Sequence, residues 1–152
     1  MLVLLDTNVL VAAFVASHPH HSAAMRWFQL AEKKKISIMV AAHSIAECYA
    51  VLTRLPLTPK ISPADAYRIL RDNSKKMGKL VSLDPHEYMD IAEDLSLLGL
   101  SGGIVYDAII LKTAQKHHAK KLITFNKKHF LQLSPDTDFI QSAAELMASF
   151  SE

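Results

Sequence analysis

The sequence predicts an α/β domain built on a mostly parallel central sheet of four to five strands with helices packed on it. Three observations predict it. Short uninterrupted apolar runs such as "LVLL", "ISIMVA" and "KLITF" alternate with longer segments whose apolar residues recur at helical spacing. These runs lack the polar–apolar alternation of a sheet with one wet face, so each strand is covered on both sides. Half of the 152 residues are hydrophobic and 21% are charged, with four Gly and six Pro, a composition that packs one core and excludes a disordered chain. No linker or repeat divides the chain, and residues 1–152 read as a single domain.

The first strand is "LVLL" at 2–5, followed by a helix over about 8–15. In "HPHHSAAMRWFQLAEKKK", Ala24, Trp27, Phe28 and Ala31 fall at helical spacing with Pro19 near the start, which predicts a second helix. "ISIMVA" from Ile36 is β-branched and apolar, the second strand. In "HSIAECYAVLTRL", Ile45, Cys48, Tyr49, Leu52 and Leu55 repeat on one face of a third helix. Three prolines make "PLTPKISP" a loop, and Ser62 before Pro63 has the form of an N-cap with proline at the first helical position. That fourth helix is expected to run to about Lys76. "KLVSL" is the third strand, and "DPHEYMDIAEDLSLLG" opens another helix with Tyr88, Ile91, Ala92, Leu95 and Leu98 on one face. After "LSGG" come the helix "IVYDAIILKTAQKHH", the strand "KLITF", a turn at Pro135, a short strand near Phe139 and a last helix through Met147.

The lone Cys48 leaves no intramolecular disulfide to draw, and its apolar helical setting is that of a buried structural thiol in a reducing cytosol. The first apolar run has no basic region before it and is cut short by Asp6, so neither a signal peptide nor a membrane span is expected, and the protein reads as cytoplasmic. A net charge of +2 does not by itself mark a nucleic-acid binder. The lysines are nevertheless clustered: at 33–35, at Lys75, Lys76 and Lys79, and in "KHHAKK" and "NKKH" over 116–129. For any single cluster a solvated surface is the plainer reading.

Three carboxylates do not fit a core. Asp6 ends a fully covered strand, where ligands of parallel sheets bind; an N-cap for the next helix explains it equally simply. Asp107 is the only acid in "IVYDAIILKTA", a helix apolar nearly all round, and a buried lone carboxylate costs roughly several kcal/mol unless a cation or donors receive it. A first-turn acid favoured by the helix dipole is its alternative. Glu47 lies off the apolar face of its helix, as an ordinary exposed Glu would. "LITFN" repeats the logic of "LVLLDTN", bringing Thr124 and Asn126 to a second strand end. Oxygen donors meeting in one crevice suit a hard divalent cation that leaves room for a phosphate oxygen, which points to phosphodiester chemistry.

The segments "LLDTNVLVA", "SIAECYAVLTR", "LSGGIVYDAIILKTA" and "LITFNKKHF", in this order, resemble the PIN-domain nucleases, in particular the small VapC-type toxins of prokaryotic toxin–antitoxin pairs. The resemblance spans nearly the whole chain. It implies a PIN-like three-layer sandwich and an endoribonuclease dependent on Mg²⁺ or Mn²⁺. Asp6, Glu47 and Asp107 match the family's catalytic, metal-binding acids, and Thr7, Asn8 and Thr124 match polar positions around them. It also implies an RNA substrate, an antitoxin protein partner and a homodimer, for which the apolar faces around Trp27 and Tyr67 are available if the core does not claim them. Where the family often carries a fourth acid, two residues after the strand-four threonine, this chain has Asn126, so one tightly held cation is expected. His129 in "NKKHF" reads as a surface histidine near a helix start, with an approach to the substrate or the site rim as its alternative. The RNA is expected along Lys116, Lys120, Lys121, Lys127 and Lys128, flanking strand four beside the acids.

Other enzyme classes fail on particular residues. A haloacid-dehalogenase phosphatase needs a second Asp where Asn8 stands, and no Gly-Lys-Ser/Thr follows "GLSGG" to make a phosphate loop. The histidines of "SHPHHS" and "KHH" lack zinc-ligand spacing. The rival that stands is an inactive PIN-like module that binds RNA or a protein. Asn126 favours it; three acids facing a polyanion count against it.

Overall fold

Among the described residues, five strands form where the sequence runs apolar: β1 (Leu2–Leu5), β2 (Ser37–Ala41), β3 (Lys79–Val81), β4 (Lys121–Thr124) and β5 (Ile140–Ser142). They make one sheet in the order β3-β2-β1-β4-β5, and every neighbouring pair is parallel. The structure, a computed structural model, describes residues 1–136 and 138–146. Helices α1 (Thr7–Phe14), α2 (His21–Glu32), α3 (Ala42–Leu52), α4 (Pro63–Asn73), α5 (Pro85–Leu97), α6 (Ile104–Lys116) and α7 (Lys127–Leu133) connect and cover the strands.

Strand geometry explains the unbroken apolar runs, because successive side chains point to opposite faces and both faces are covered. Val3, Leu5, Ile38, Val40 and Ile123 pack with α1, α2 and α3 around Trp27 and Leu52. Leu4, Met39, Val81 and Leu122 pack on the other face with Ile110, Leu111 and Ala114 of α6 and Phe130 of α7. A third cluster, Leu83, Ile91, Leu95, Ala108 and Ile109, joins α5 to α6. The result is the expected three-layer α/β/α sandwich.

Helix ends follow the local chemistry. The Ser62 hydroxyl accepts from the Asp65 N–H at 3.1 Å, and Pro63 opens α4. Asp84 and Glu87 form a capping box at the start of α5, with the Asp84 N–H donating to Glu87 at 2.7 Å. Gly102, at φ +74°, makes the turn into α6. Gly78 holds φ +68° in the turn before β3, where a Cβ would lie 2.1 Å from the Ile38 carbonyl oxygen, so only glycine lets this turn lie against β2.

Four expectations are corrected. The fourth helix gives way after Asn73 to a 3-10 turn over Ser74–Met77, whose φ-positive exit at Gly78 redirects the chain into β3. β3 stops at Val81, two residues short of "KLVSL", because Leu83 leaves the sheet for the α5–α6 cluster. Residues 143–146 form a turn rather than a helix, and Met147, the expected end of that helix, lies outside the described residues. Trp27 is wholly buried and its indole N–H donates to the Ala143 carbonyl at 3.0 Å, so it belongs to the core and not to a surface between subunits. Tyr67 is 61% exposed. Cys48 is wholly buried, as its pattern predicts, and burial pushes its thiol pKa up. Among the described residues no helix is long and apolar enough to cross a membrane.

Candidate active site

In a parallel sheet with order 3-2-1-4-5, successive connections leave β1 in opposite directions, and a crevice opens at the strand C-termini between β1 and β4. Asp6 follows β1 and Thr124 closes β4, so both reach that crevice. The Asp6 N–H donates to the Ile123 carbonyl at 2.9 Å, continuing the β1–β4 ladder by one residue. Asp6 occupies the N-cap position of α1 in extended conformation, yet its side chain makes no capping bond. Its carboxylate accepts instead from the Thr124 hydroxyl at 2.7 Å.

Thr124 uses its whole hydrogen-bonding capacity here. Besides donating to Asp6, its oxygen accepts from Asn8 Nδ2 at 3.1 Å and from the Asn126 N–H at 2.9 Å. Asn8 Oδ1 accepts from the Phe125 N–H at 3.1 Å, so the Asn8 amide clamps the end of β4 to the first turn of α1. From the same turn the Thr7 hydroxyl donates to Glu47 Oε2 at 2.6 Å and is also bonded to the buried Ser44 hydroxyl at 3.0 Å. "DTN" therefore supplies one acid and two side chains that hold neighbouring elements. Thr124→Val removes the donor to Asp6 and the acceptor for two N–H groups while keeping the volume. Calorimetric Mn²⁺ titration of that variant should show affinity about 10- to 100-fold below the parent, the size found for groups that orient metal ligands.

Asp6, Glu47 and Asp107 line one cleft of about 380 Å³ with Thr7, Asn8, His18, His20, Phe125 and Asn126. Asp6 is 3% exposed, and its carboxyl pKa is pushed up to about 7. Burial is the main cause, the Thr124 bond opposes it, and the nearby Asp107 and Glu47 charges add to it. Burial likewise raises Asp107, against the lowering influence of His129. Mutual repulsion in a buried setting, with no Lys or Arg paired to any of the three among the described residues, is what a cation would relieve. No three Asp, Glu, His or Cys side chains are placed to hold a metal ion by protein contacts alone, again among the described residues. Mg²⁺ and Mn²⁺ take few carboxylates and keep several waters. The donor set, all oxygen and anionic, fits such an ion.

The sequence sets His129 at the site rim against a plain surface position, and it misses His43. His129 donates or accepts at Nδ1 3.2 Å from Asp107 Oδ2, so this surface residue near the start of α7 also stands at the site. His43 Nε2 lies 4.0 Å from Glu47 Oε2, buried and without a hydrogen-bond partner. Helical spacing was the available signal, since His43 precedes Glu47 by one turn.

The lysines divide. Lys127 and Lys128 open α7 directly after Asn126, at the site end of β4. Lys120 and Lys121 stand at the other end of that strand, where the Lys120 N–H donates to the Leu2 carbonyl; Lys121 is three residues, or about 10 Å, from Thr124 and Lys120 one residue further. Lys116 is nine residues, about 14 Å, along α6 from Asp107, and it pairs with Asp84 at 2.8 Å and with Glu87. The expectation of five lysines beside the acids is corrected for these three, because a strand and an antiparallel helix carry their two ends to opposite sides of the domain.

Residues 3–134 match the family pattern described as PIN domain. The chain is 34% identical over 117 residues to Ribonuclease VapC40 of Mycobacterium tuberculosis (strain ATCC 25618 / H37Rv), covering 77% of this chain and 81% of the relative. It is 30% identical over 115 residues to Ribonuclease VapC27 of the same strain, covering 76% and 78%. Among solved structures, VapBC2 from Rickettsia felis, bound to a DNA fragment from their promoter, shares the fold with a TM-score of 0.68 at 19% identity, over 93% of this chain and 98% of that one. The chain belongs to the PIN-domain family, among its VapC-type members.

Proposed function

We propose that this protein is a metal-dependent endoribonuclease and the toxin of a toxin–antitoxin pair, cytoplasmic and dimeric. One observation carries the catalytic reading: carboxylates from three separate elements converge on a cleft at the sheet's switch point, with no Lys or Arg paired to any of them among the described residues. The relatives named ribonucleases support RNA as the substrate. The VapBC2 assembly supports a protein partner of the antitoxin kind.

Asp6, Glu47 and Asp107 would hold Mg²⁺ or Mn²⁺, which when bound acidifies water and offsets charge on a phosphate under attack. Thr124 and Thr7 hold Asp6 and Glu47 in place by donating to them. Asn8 fixes the spacing between the β4 end and α1. Lys127 and Lys128 approach RNA phosphates, contributing affinity rather than base reading. Incubating the purified protein with RNA and Mn²⁺, with EDTA as control, tests the reading. Cleavage that EDTA abolishes is expected. RNA bound but uncut at every metal concentration would establish the inactive-module alternative.

Three variants refine it. Asn126 lines the cleft, so Asn126→Asp places a fourth anion there and should tighten Mn²⁺ binding several-fold, since an added anion a few ångströms from a cation contributes on the order of a kcal/mol in a partly buried crevice. Equal or weaker affinity by calorimetry would mean the side chain points away from the cation. Neutralising Lys127 and Lys128 should lower the slope of log affinity against log salt by about one for each phosphate no longer neutralised, while Lys120→Gln with Lys121→Gln leaves it unchanged. The opposite pattern would place the RNA at the far end of the sheet.

A further inference from the structure

Two ring pairs flank the acids, one in each arm of a forked cleft. In the arm that holds Asp6, the His20 imidazole lies over Phe125, with centroids 4.6 Å apart and planes within 17°. The second arm, about 520 Å³, is lined by His43, Glu47, Arg54, Pro56 and Tyr106. There the His43 imidazole lies over Tyr106, with centroids 5.3 Å apart and planes within 18°. Glu47 lines both arms and so marks their junction.

Both pairs are tied by the chain to the acid cluster. Phe125 follows Thr124, which bonds to Asp6; Tyr106 precedes Asp107; His43 stands one helical turn before Glu47. Each pair sets an exposed ring on a half-buried one: His20 on Phe125, and Tyr106, 48% exposed, on His43. The inner ring fixes the plane of the outer ring, whose exposure leaves aromatic surface to a ligand. None of these rings is needed to hold the three carboxylates, and none lies in the lysine clusters.

Resting on the ribonuclease reading, we propose that His20–Phe125 and His43–Tyr106 are stacking platforms for the two nucleobases on either side of the scissile phosphate. A planar ring stacks on any base, and a base is free to occupy an arm of the cleft only when it is unpaired and splayed from its neighbours. In a duplex the bases are stacked on one another and their faces are closed to protein. The acids then meet the phosphate between two bases whose positions are set by rigid rings rather than by flexible lysines.

The test separates bases from phosphates. Anisotropy measures binding of an end-labelled oligouridylate dodecamer, an abasic ribose-phosphate dodecamer and an RNA duplex of equal length, at low salt with EDTA present. The parent should bind the oligouridylate at least about fivefold more tightly than the abasic chain or the duplex. The double variant His20→Ala, Tyr106→Ala changes two exposed side chains and should keep the parent's melting temperature. It should bind the oligouridylate and the abasic chain alike. A parent that does not distinguish them, or a variant that still does, overturns the platforms. Metal-dependent cleavage by the parent in either of those cases leaves the nuclease standing and removes the stacking alone; absence of both RNA binding and cleavage removes both.

Discussion

Asp6→Asn and Asp107→Asn are each expected to reduce Mn²⁺-dependent RNA cleavage by at least about 100-fold, more than the loss of a group that merely orients a ligand. The substitutions are nearly isosteric. At position 6 an amide oxygen still accepts from the Thr124 hydroxyl, so the β1–β4 junction keeps its bond and only the charge is lost. The folded state should therefore survive, with unchanged circular dichroism and a melting temperature no lower than that of the metal-free parent. Cation binding suffers directly, because three carboxylates over one divalent ion leave one net negative charge and two leave none. Cleavage is read against Mn²⁺ concentration. If either variant at saturating Mn²⁺ cuts as fast as the parent, that carboxylate has no part in holding the metal.

Much of this site was legible because its parts sit at strand ends. "LVLLDTN" and "KLITFN" each run apolar into polar residues, and parallel pairing of β1 with β4 brings those ends together. Asp6, Thr7, Asn8, Thr124 and Asn126 consequently meet where the pattern placed them. Glu47 and Asp107 were harder to place, since helical periodicity says which face a residue occupies and not which strand end the face adjoins. The lysines show the limit of proximity along the chain. Lys121 and Lys127 are six residues apart, but the strand and turn between them separate opposite ends of the sheet. The ring pairs His20–Phe125 and His43–Tyr106 join residues far apart in the chain, the first more than a hundred positions, and no local spacing announces them. Where the pattern predicts a last helix after β5, residues 143–146 form a turn, with Ala143 buried and its carbonyl accepting from Trp27; the order of elements read from the sequence also passes from "KLITF" to the Pro135 turn without the short helix α7.

In EDTA the parent should be more stable at pH 5 than at pH 8, and Mn²⁺ should remove most of the difference. The Asp6 carboxyl has its pKa raised from 3.8 to about 7 in the folded state, chiefly by burial. Between those values the folded chain binds a proton that the unfolded chain has released. Its contribution to stability is fully present below about pH 4 and is lost as pH rises through about 7. Asp107, raised by burial, acts in the same direction. Asp84 and Glu87 are lowered by Lys116, so they lose stability only as pH falls through the acid range, outside this window. His18, lowered by burial, gains stability as pH rises and opposes the trend, which is why a variant is needed to isolate the carboxyl. At about 1.4 kcal/mol per unit, the Asp6 shift corresponds to a few kcal/mol, seen as a lower melting temperature or denaturation midpoint at pH 8. Asp6→Asn has no proton to lose and should flatten most of the profile while raising metal-free stability at pH 8. Mn²⁺ at 100 times its dissociation constant should return about 2.7 kcal/mol to the parent at pH 8, because it binds the ionised carboxylates of the folded state. A flat parent profile in EDTA, or an Asp6→Asn profile as steep as the parent's, would mean that the buried charge at the end of β1 is already compensated within the protein, and the case for a cation there would lose its main support.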